Sequence, residues 1–179
     1  YGVFDEQRYF TAGDTCPVYE INGVNVGVNV CEDIWHENGP TTVQRSAGAE
    51  VILNINASPY HQMKGEQREA MLSKRASDYG VCVAYLNPGG GQDELGWDGR
   101  SMVLKPGGVV VARGPQFEEA LLVIDVDADE AQPATASRDG LEPMGRPVNV
   151  TVSPKGTAPV RQPVVALMSE PLDELTEVY

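Results

Sequence analysis

"NVCEDIWHENGP", residues 29–40, closes an apolar run on a cysteine and follows it at once with two carboxylates, an aromatic residue and a histidine. A cysteine that only fills a core belongs among apolar neighbours. Cys31 stands instead where the chain changes from apolar to charged. Working backwards, Val24 to Val30 is valine-rich and reads as a strand that carries Cys31 at its end. Working forwards, "TTVQRSAGAE" opens a helix with Thr41 or Thr42 as its N-cap. "VILNI", residues 51–55, reads as a short buried strand. Gln62 to Tyr79 is polar-rich and helical, with Leu72, Ala76 and Tyr79 on one face.

"VCVAYL", residues 81–86, is a further buried strand, and "SMVLK", "PGG" and "VVVAR" read as a hairpin with Pro-Gly in its turn. Leu121 to Val126 is expected to add one more strand. Buried strands joined by helices and followed by a hairpin indicate a layered α/β domain over residues 1–126. Residues 127–168 carry many of the prolines and no sustained period, and read as an extended linker. "SEPLDELTEVY", residues 169–179, reads as the start of a helix, with Ser169 as N-cap and acidic residues in its first turn.

The 179 residues suffice for one domain with a sizeable core, and 41% are hydrophobic. No apolar run approaches the roughly 20 residues of a membrane helix, so no membrane partner is expected. No basic, apolar-centred leader stands at the start, which makes a cytoplasmic location the expectation. Three well-separated cysteines argue for thiols in a reducing compartment rather than a disulfide framework. Thirteen basic against 26 acidic residues give a net charge of −13 and no Lys/Arg cluster, which argues against a nucleic-acid partner. Two histidines, His36 and His61, show no ligand spacing, so no metal site is expected. "GGGQDELGWDG", residues 89–99, lacks the lysine and hydroxyl of a phosphate-binding loop.

A thiol becomes a nucleophile when its thiolate is stabilised and a base takes its proton. A strand end opening into a turn suits it, because backbone N–H groups there are free to stabilise an oxyanion. Cys82, inside "VCVAYL", fits a packing role, and Cys16 precedes a proline in a stretch that reads as a polar loop.

"CEDIW", "NASPYH" and "GGGQDELGWDG", taken in order, resemble the nitrilase or carbon–nitrogen hydrolase superfamily. With "YGVFDEQRYF" and "REAMLSKRASDYG", they resemble more closely the glutaminase domains of glutamine-dependent NAD synthetases, and would represent the C-terminal half of such a domain. The resemblance implies part of a four-layer α-β-β-α sandwich. It implies that Cys31 is the nucleophile, that Glu6 is a supporting carboxylate, and that Tyr1, Glu32, Ser58 and Lys64 contact the substrate; Trp35, by its residue type, reads as a core residue or a wall of the substrate pocket. The lysine and general-base glutamate of the family's triad would fall upstream of Tyr1. Gly89 and the Gly96–Trp97 pair depart from the usual pattern of the glycine-rich stretch. The implied partners are L-glutamine, a synthetase domain of the same polypeptide and a second copy in a homo-oligomer. No cofactor is expected in this chain; ATP and Mg belong to the synthetase domain, which amidates nicotinate adenine dinucleotide to NAD. Two other classes fit the same residues: another amidase or carbamoyl-amide hydrolase of the superfamily, and a non-catalytic assembly module.

Overall fold

A computed structural model of the chain describes residues 5–135, 142–157 and 162–178. In chain order its elements are β1 (Thr15–Ile21), β2 (Val24–Val30), α1 (Pro40–Ser46), β3 (Val51–Ile55) and α2 (Lys64–Tyr79). They continue with β4 (Cys82–Leu86), β5 (Gly89–Gln92), β6 (Leu95–Asp98), β7 (Met102–Leu104), β8 (Val110–Arg113), β9 (Arg146–Ser153) and α3 (Glu174–Val178). Seven strands form one mixed sheet in the order β8-β7-β4-β3-β2-β1-β9, and β5 with β6 makes a separate hairpin. The centre, β2-β3-β4, is parallel, as crossover connections through α1 and α2 require.

The period-2 alternation of "VNVGVNV" divides the two faces of β2. Val24, Val26 and Val28 join Val51, Cys82, Val103 and Ala112 on one side. Gly27 and Asn29 look to the other side, where Gln44 of α1 approaches closely. A Cβ on Gly27 would lie 2.8 Å from Ile52 Cδ1 and 2.9 Å from Gln44 Oε1, so glycine is what lets this side chain lie on the strand. The helical side holds the larger core, built from Ile34, Ile52, Leu72, Ala76, Tyr79, Val83, Tyr85, Met102 and Leu104.

Several expectations need correction. Pro40 occupies the first helical turn of α1 and Gly39 is the N-cap, so Thr41 and Thr42 lie inside the helix. Their hydroxyls serve the interior instead: Thr41 Oγ1 accepts from Asn29 Nδ2 at 3.0 Å, and Thr42 Oγ1 donates to Glu37 O at 2.5 Å. Cys16 is not in a polar loop but buried in β1, where its thiol donates to Met144 O at 3.2 Å. Leu121–Val126 is extended but forms no strand. It lies over the second face of the sheet, turning Leu122 and Ile124 inward, so its backbone finds no ladder to join. The segment after Asp127 contains β9, which pairs in parallel with β1 through residues such as Val18 and Asn149. Asp173, not Ser169, caps α3, accepting from Leu175 and Thr176 N–H at 3.0 and 2.9 Å.

On the second face the cover is incomplete among the described residues. Val30, Ile55 and Leu86 are 57%, 51% and 55% exposed at the ends of three adjacent strands. A contiguous apolar patch of this kind drives association. The isolated 179-residue chain should therefore self-associate in size-exclusion and light-scattering measurements, and Ile55→Lys with Leu86→Lys should shift it toward monomer. A monodisperse monomer before substitution would contradict this reading of the face.

Candidate active site

Cys31 begins a 3₁₀ turn, Cys31–Trp35, at the end of β2. Its φ is +53°, in the left-handed region that a non-glycine residue enters at a cost of about 1–3 kcal/mol. Such a conformation persists only where surrounding groups impose it, and four side chains do. Asp33 reaches back to accept from Val30 N–H at 3.0 Å. Asn54 and Asn56 each donate Nδ2 to Cys31 O at 3.2 Å. Arg75, buried on α2, donates to Ile34 O at 3.0 Å and Trp35 O at 2.6 Å. The turn that carries the cysteine is thus held at its start, from beneath and at its end.

Beside it, the "NASP" loop after β3 is fixed just as firmly. Ser58 is buried; its N–H donates to Asn87 Oδ1 at 2.8 Å, while Ser58 O accepts from Asn87 Nδ2 at 3.4 Å. Trp97 Nε1 donates to Ala57 O at 2.9 Å, and Tyr60 N–H to Gly96 O at 2.7 Å. The departure at Gly96–Trp97 therefore has a structural use, because the β5–β6 hairpin clasps this loop. Beneath it lies a fully buried ion pair between Arg68 of α2 and Asp98 of β6. A buried pair adds little net stability but penalises any arrangement that separates its members.

These elements enclose a cavity of about 170 Å³ lined by Cys31, Glu32, Trp35, Asn56, Ser58, Pro59 and Lys64. Five residues singled out from the sequence, Cys31, Glu32, Trp35, Ser58 and Lys64, thus meet at one place. Tyr1 lies outside the described residues, and Glu6 falls in a separate 3₁₀ turn, Glu6–Arg8. Lys64 Nζ stands 4.7 Å from the centroid of the Trp35 ring, a cation–π contact that holds the ammonium at the rim. Glu32 Oε1 lies 3.8 Å from His36 Nε2. The pocket therefore offers a thiol, a carboxylate and an ammonium within one small volume. Among the described residues, no group of three or more His, Cys, Asp or Glu side chains could hold a metal ion.

Asn56, Asn87 and Arg75 were missed by sequence reasoning. Their signal was present: polar residues inside or at the ends of apolar strands and on the inner face of a helix need buried partners.

Residues 2–136 match the carbon-nitrogen hydrolase family. The chain belongs to that family. It is 48% identical over 132 residues to the glutamine-dependent NAD(+) synthetase of Aquifex aeolicus, covering 74% of this chain and 23% of that protein. The synthetase of the same name from Thermotoga maritima is 47% identical over 131 residues, covering 73% and 23%. The chain thus spans about a quarter of the length of these curated relatives. Among solved structures, the glutamine-dependent NAD+ synthetase of Acinetobacter baumannii in complex with ADP superposes with a TM-score of 0.68 at 36% identity, over 79% of this chain and 27% of that one. A mutant amidase from Nesterenkonia sp. AN1, carrying a Michael adduct of acrylamide at its active-site cysteine, superposes with a TM-score of 0.63 at 26% identity, over 73% and 50%. The architecture, one mixed sheet with helices on one side, is that of a partial nitrilase-superfamily fold.

The three thiols differ in environment. Cys16 and Cys82 are buried, and burial raises both; Cys82 is pushed up to about 11. At pH 8 only about a thousandth of Cys82 is thiolate. Iodoacetamide at pH 8 should accordingly modify Cys31 first in the folded protein, as peptide mass mapping would read. Equal labelling of Cys82 would mean that the sheet opens at that pH.

Proposed function

We propose that this chain supplies the nucleophile and part of the substrate pocket of a glutaminase that delivers ammonia within a glutamine-dependent NAD synthetase. The observation that carries this is the meeting of Cys31, in its imposed left-handed turn, with Glu32, Ser58 and Lys64 in one cavity. The cavity suits a small zwitterionic amide. Glu32 is placed to receive an α-ammonium, Lys64 an α-carboxylate, and the side-chain carboxamide then extends toward Cys31. Relatives that share up to 48% identity carry the corresponding name.

In the proposed reaction the Cys31 thiolate attacks the carboxamide carbon, and the C=O pair moves onto oxygen. Backbone N–H groups of the Cys31–Trp35 turn are proposed to donate to the oxyanion. Collapse of the adduct breaks the C–N bond, and the nitrogen leaves as ammonia after taking a proton. Water then cleaves the thioester, giving glutamate and restoring the thiol. Burial pushes the Tyr85 phenol up to about 12, against the opposing pull of Arg68, so it stays neutral and is no base. The base and the lysine that favour thiolate formation are proposed to come from residues preceding Tyr1. The ammonia is proposed to pass to a synthetase domain that consumes ATP with Mg; the Acinetobacter neighbour was solved with ADP. Assembly with a second copy belongs to the same proposal.

In the full-length enzyme, Cys31→Ala should abolish NAD formation from glutamine and leave formation from ammonia largely intact. Loss of both activities together would contradict separate sites. Glu32→Gln should raise KM for glutamine by about 10–100-fold, the worth of a hydrogen bond to a charged group. The 179-residue chain alone should not turn over glutamine, since general acid–base assistance contributes about 10²–10⁴-fold. Mixing it with a separately expressed upstream half should restore hydrolysis. Turnover by the chain alone, abolished by Cys31→Ala, would place the base within it. The simple-amidase reading has the Nesterenkonia likeness behind it, and comparison of glutamine with propionamide decides between the two.

A further inference from the structure

Beneath the pocket runs a line of four buried primary amides, Gln44, Asn29, Asn54 and Asn56. Gln44 Nε2 donates to Pro17 O at 3.1 Å and Val28 O at 2.8 Å. Gln44 Oε1 accepts from Asn29 Nδ2 at 3.1 Å, Asn29 Oδ1 accepts from Asn54 Nδ2 at 2.8 Å, and Asn54 Oδ1 accepts from Asn56 Nδ2 at 2.9 Å. The second hydrogens of Asn54 and Asn56 both go to Cys31 O, each at 3.2 Å.

The sense of this line is not arbitrary. A backbone carbonyl can only accept. Pro17 O and Val28 O therefore fix which end of Gln44 is nitrogen, and that choice propagates through Asn29 and Asn54 to Asn56. Cys31 O fixes Asn54 and Asn56 independently, and the two requirements agree. Hydrogen bonds aligned in one sense polarise one another, so the bond that Asn54 accepts from Asn56 strengthens the one Asn54 donates to Cys31 O. That carbonyl belongs to the residue whose φ is +53°. At the far end of the line, Asn56 Oδ1 is buried with no donor among the described groups. An orphan acceptor is a cost to stability.

We propose that Asn54 and Asn56 are positioning residues that hold the Cys31 nucleophile through its own carbonyl, at the end of an amide line anchored on Gln44. The inference deepens the glutaminase reading and rests on it for the identity of the reaction, but not for the geometry. Neither asparagine needs to touch the substrate. Releasing Cys31 O would let the residue relax toward a right-handed φ, turning the thiol and the adjacent N–H groups away from the carboxamide. Misplacement by about 1 Å can cost about 10²-fold in rate.

The test uses the full-length enzyme with Asn54→Ala and Asn56→Ala, and Ser73→Ala, which loses a hydrogen bond to Gly108 O on another part of the fold, as a control. The expected result is a fall in kcat of about 10–100-fold with KM for glutamine within about twofold. The second-order rate of Cys31 alkylation by iodoacetamide should fall about 5-fold or more in the same variants and not in Ser73→Ala. Should an alanine variant fail to fold, Asn56→Ser, which keeps one donor, should show an intermediate alkylation rate. Alkylation and kcat within twofold of the parent in a folded variant would overturn the proposal. So would a raised KM with unchanged kcat, which would make Asn56 a substrate ligand. Because alkylation needs no glutamine, a parent enzyme that fails to hydrolyse glutamine would sink the functional reading while leaving this comparison decisive.

Discussion

Everything at the site depends on the register of three parallel strands. Val30 pairs with Ile55, and Ile55 with Leu86. The residues that follow these positions, Cys31, Asn56 and Asn87, therefore leave the sheet side by side at its carboxyl edge. Open α/β sheets place their ligand crevices at that edge because the loops there diverge. A slip of one residue between β2 and β3 would send the inward asparagines of one strand to the opposite face. Asn29 would lose Asn54, and Cys31 O would lose both its donors. Register and pocket are one constraint.

What keeps the register unique is largely polar. Aliphatic side chains on β2, β3 and β4 would tolerate a shift, since one valine replaces another at small cost. Buried amides and guanidinium groups would not, because each displaced donor leaves an uncompensated partner. Asn29 faces Asn54 across one pair. Arg75 joins α2 to the cysteine turn, and Arg68 joins the same helix to Asp98 at the foot of the clasping hairpin. One helix thus carries two charged anchors that face opposite walls of the pocket. The hydrophobic core supplies the stability, and the polar layer between core and pocket selects one arrangement.

That division explains what could be read from the sequence. β2, β3 and β4 were legible because runs of β-branched residues meet a polar boundary at each end. Cys31 was legible because it sits on that boundary, and Glu32, Ser58 and Lys64 through the motifs that surround them. β1 was not, because Pro17 in its middle imitates a loop; the structure tolerates it since the antiparallel pairing with β2 starts only at Val18. β9 also carries a proline, Pro147, and its partner is β1, roughly 130 residues earlier, a distance no local pattern encodes. Leu121–Val126 has the alternation of a strand without a ladder, and periodicity cannot tell those apart. The asparagine line is the instructive omission. "VNVGVNV" and "VILNINAS" place asparagines at the inward positions of apolar strands, and a buried amide with no evident partner already asks what it holds.

The two faces of the sheet end in related ways. On the helical face the amide line runs to Cys31, so the strand ends are rigid where the thiol emerges. On the other face the same strand ends expose Val30, Ile55 and Leu86, and Val30 is the residue immediately before the cysteine. Any chain that covers this apolar patch must therefore pack within one residue of the proposed nucleophile. Under the proposed function, the groups that activate the thiol come from outside the described pocket, and the patch marks where such groups could be brought close. Burial of about three large aliphatic side chains would stabilise the union by several kcal/mol. It would also exclude water from the back of the strand end and so strengthen every electrostatic contact at the thiol. Completing the core and completing the active site are then the same event. Under that proposal, a thiol that gains its activating groups only as the apolar face closes would turn over glutamine only in the assembled enzyme.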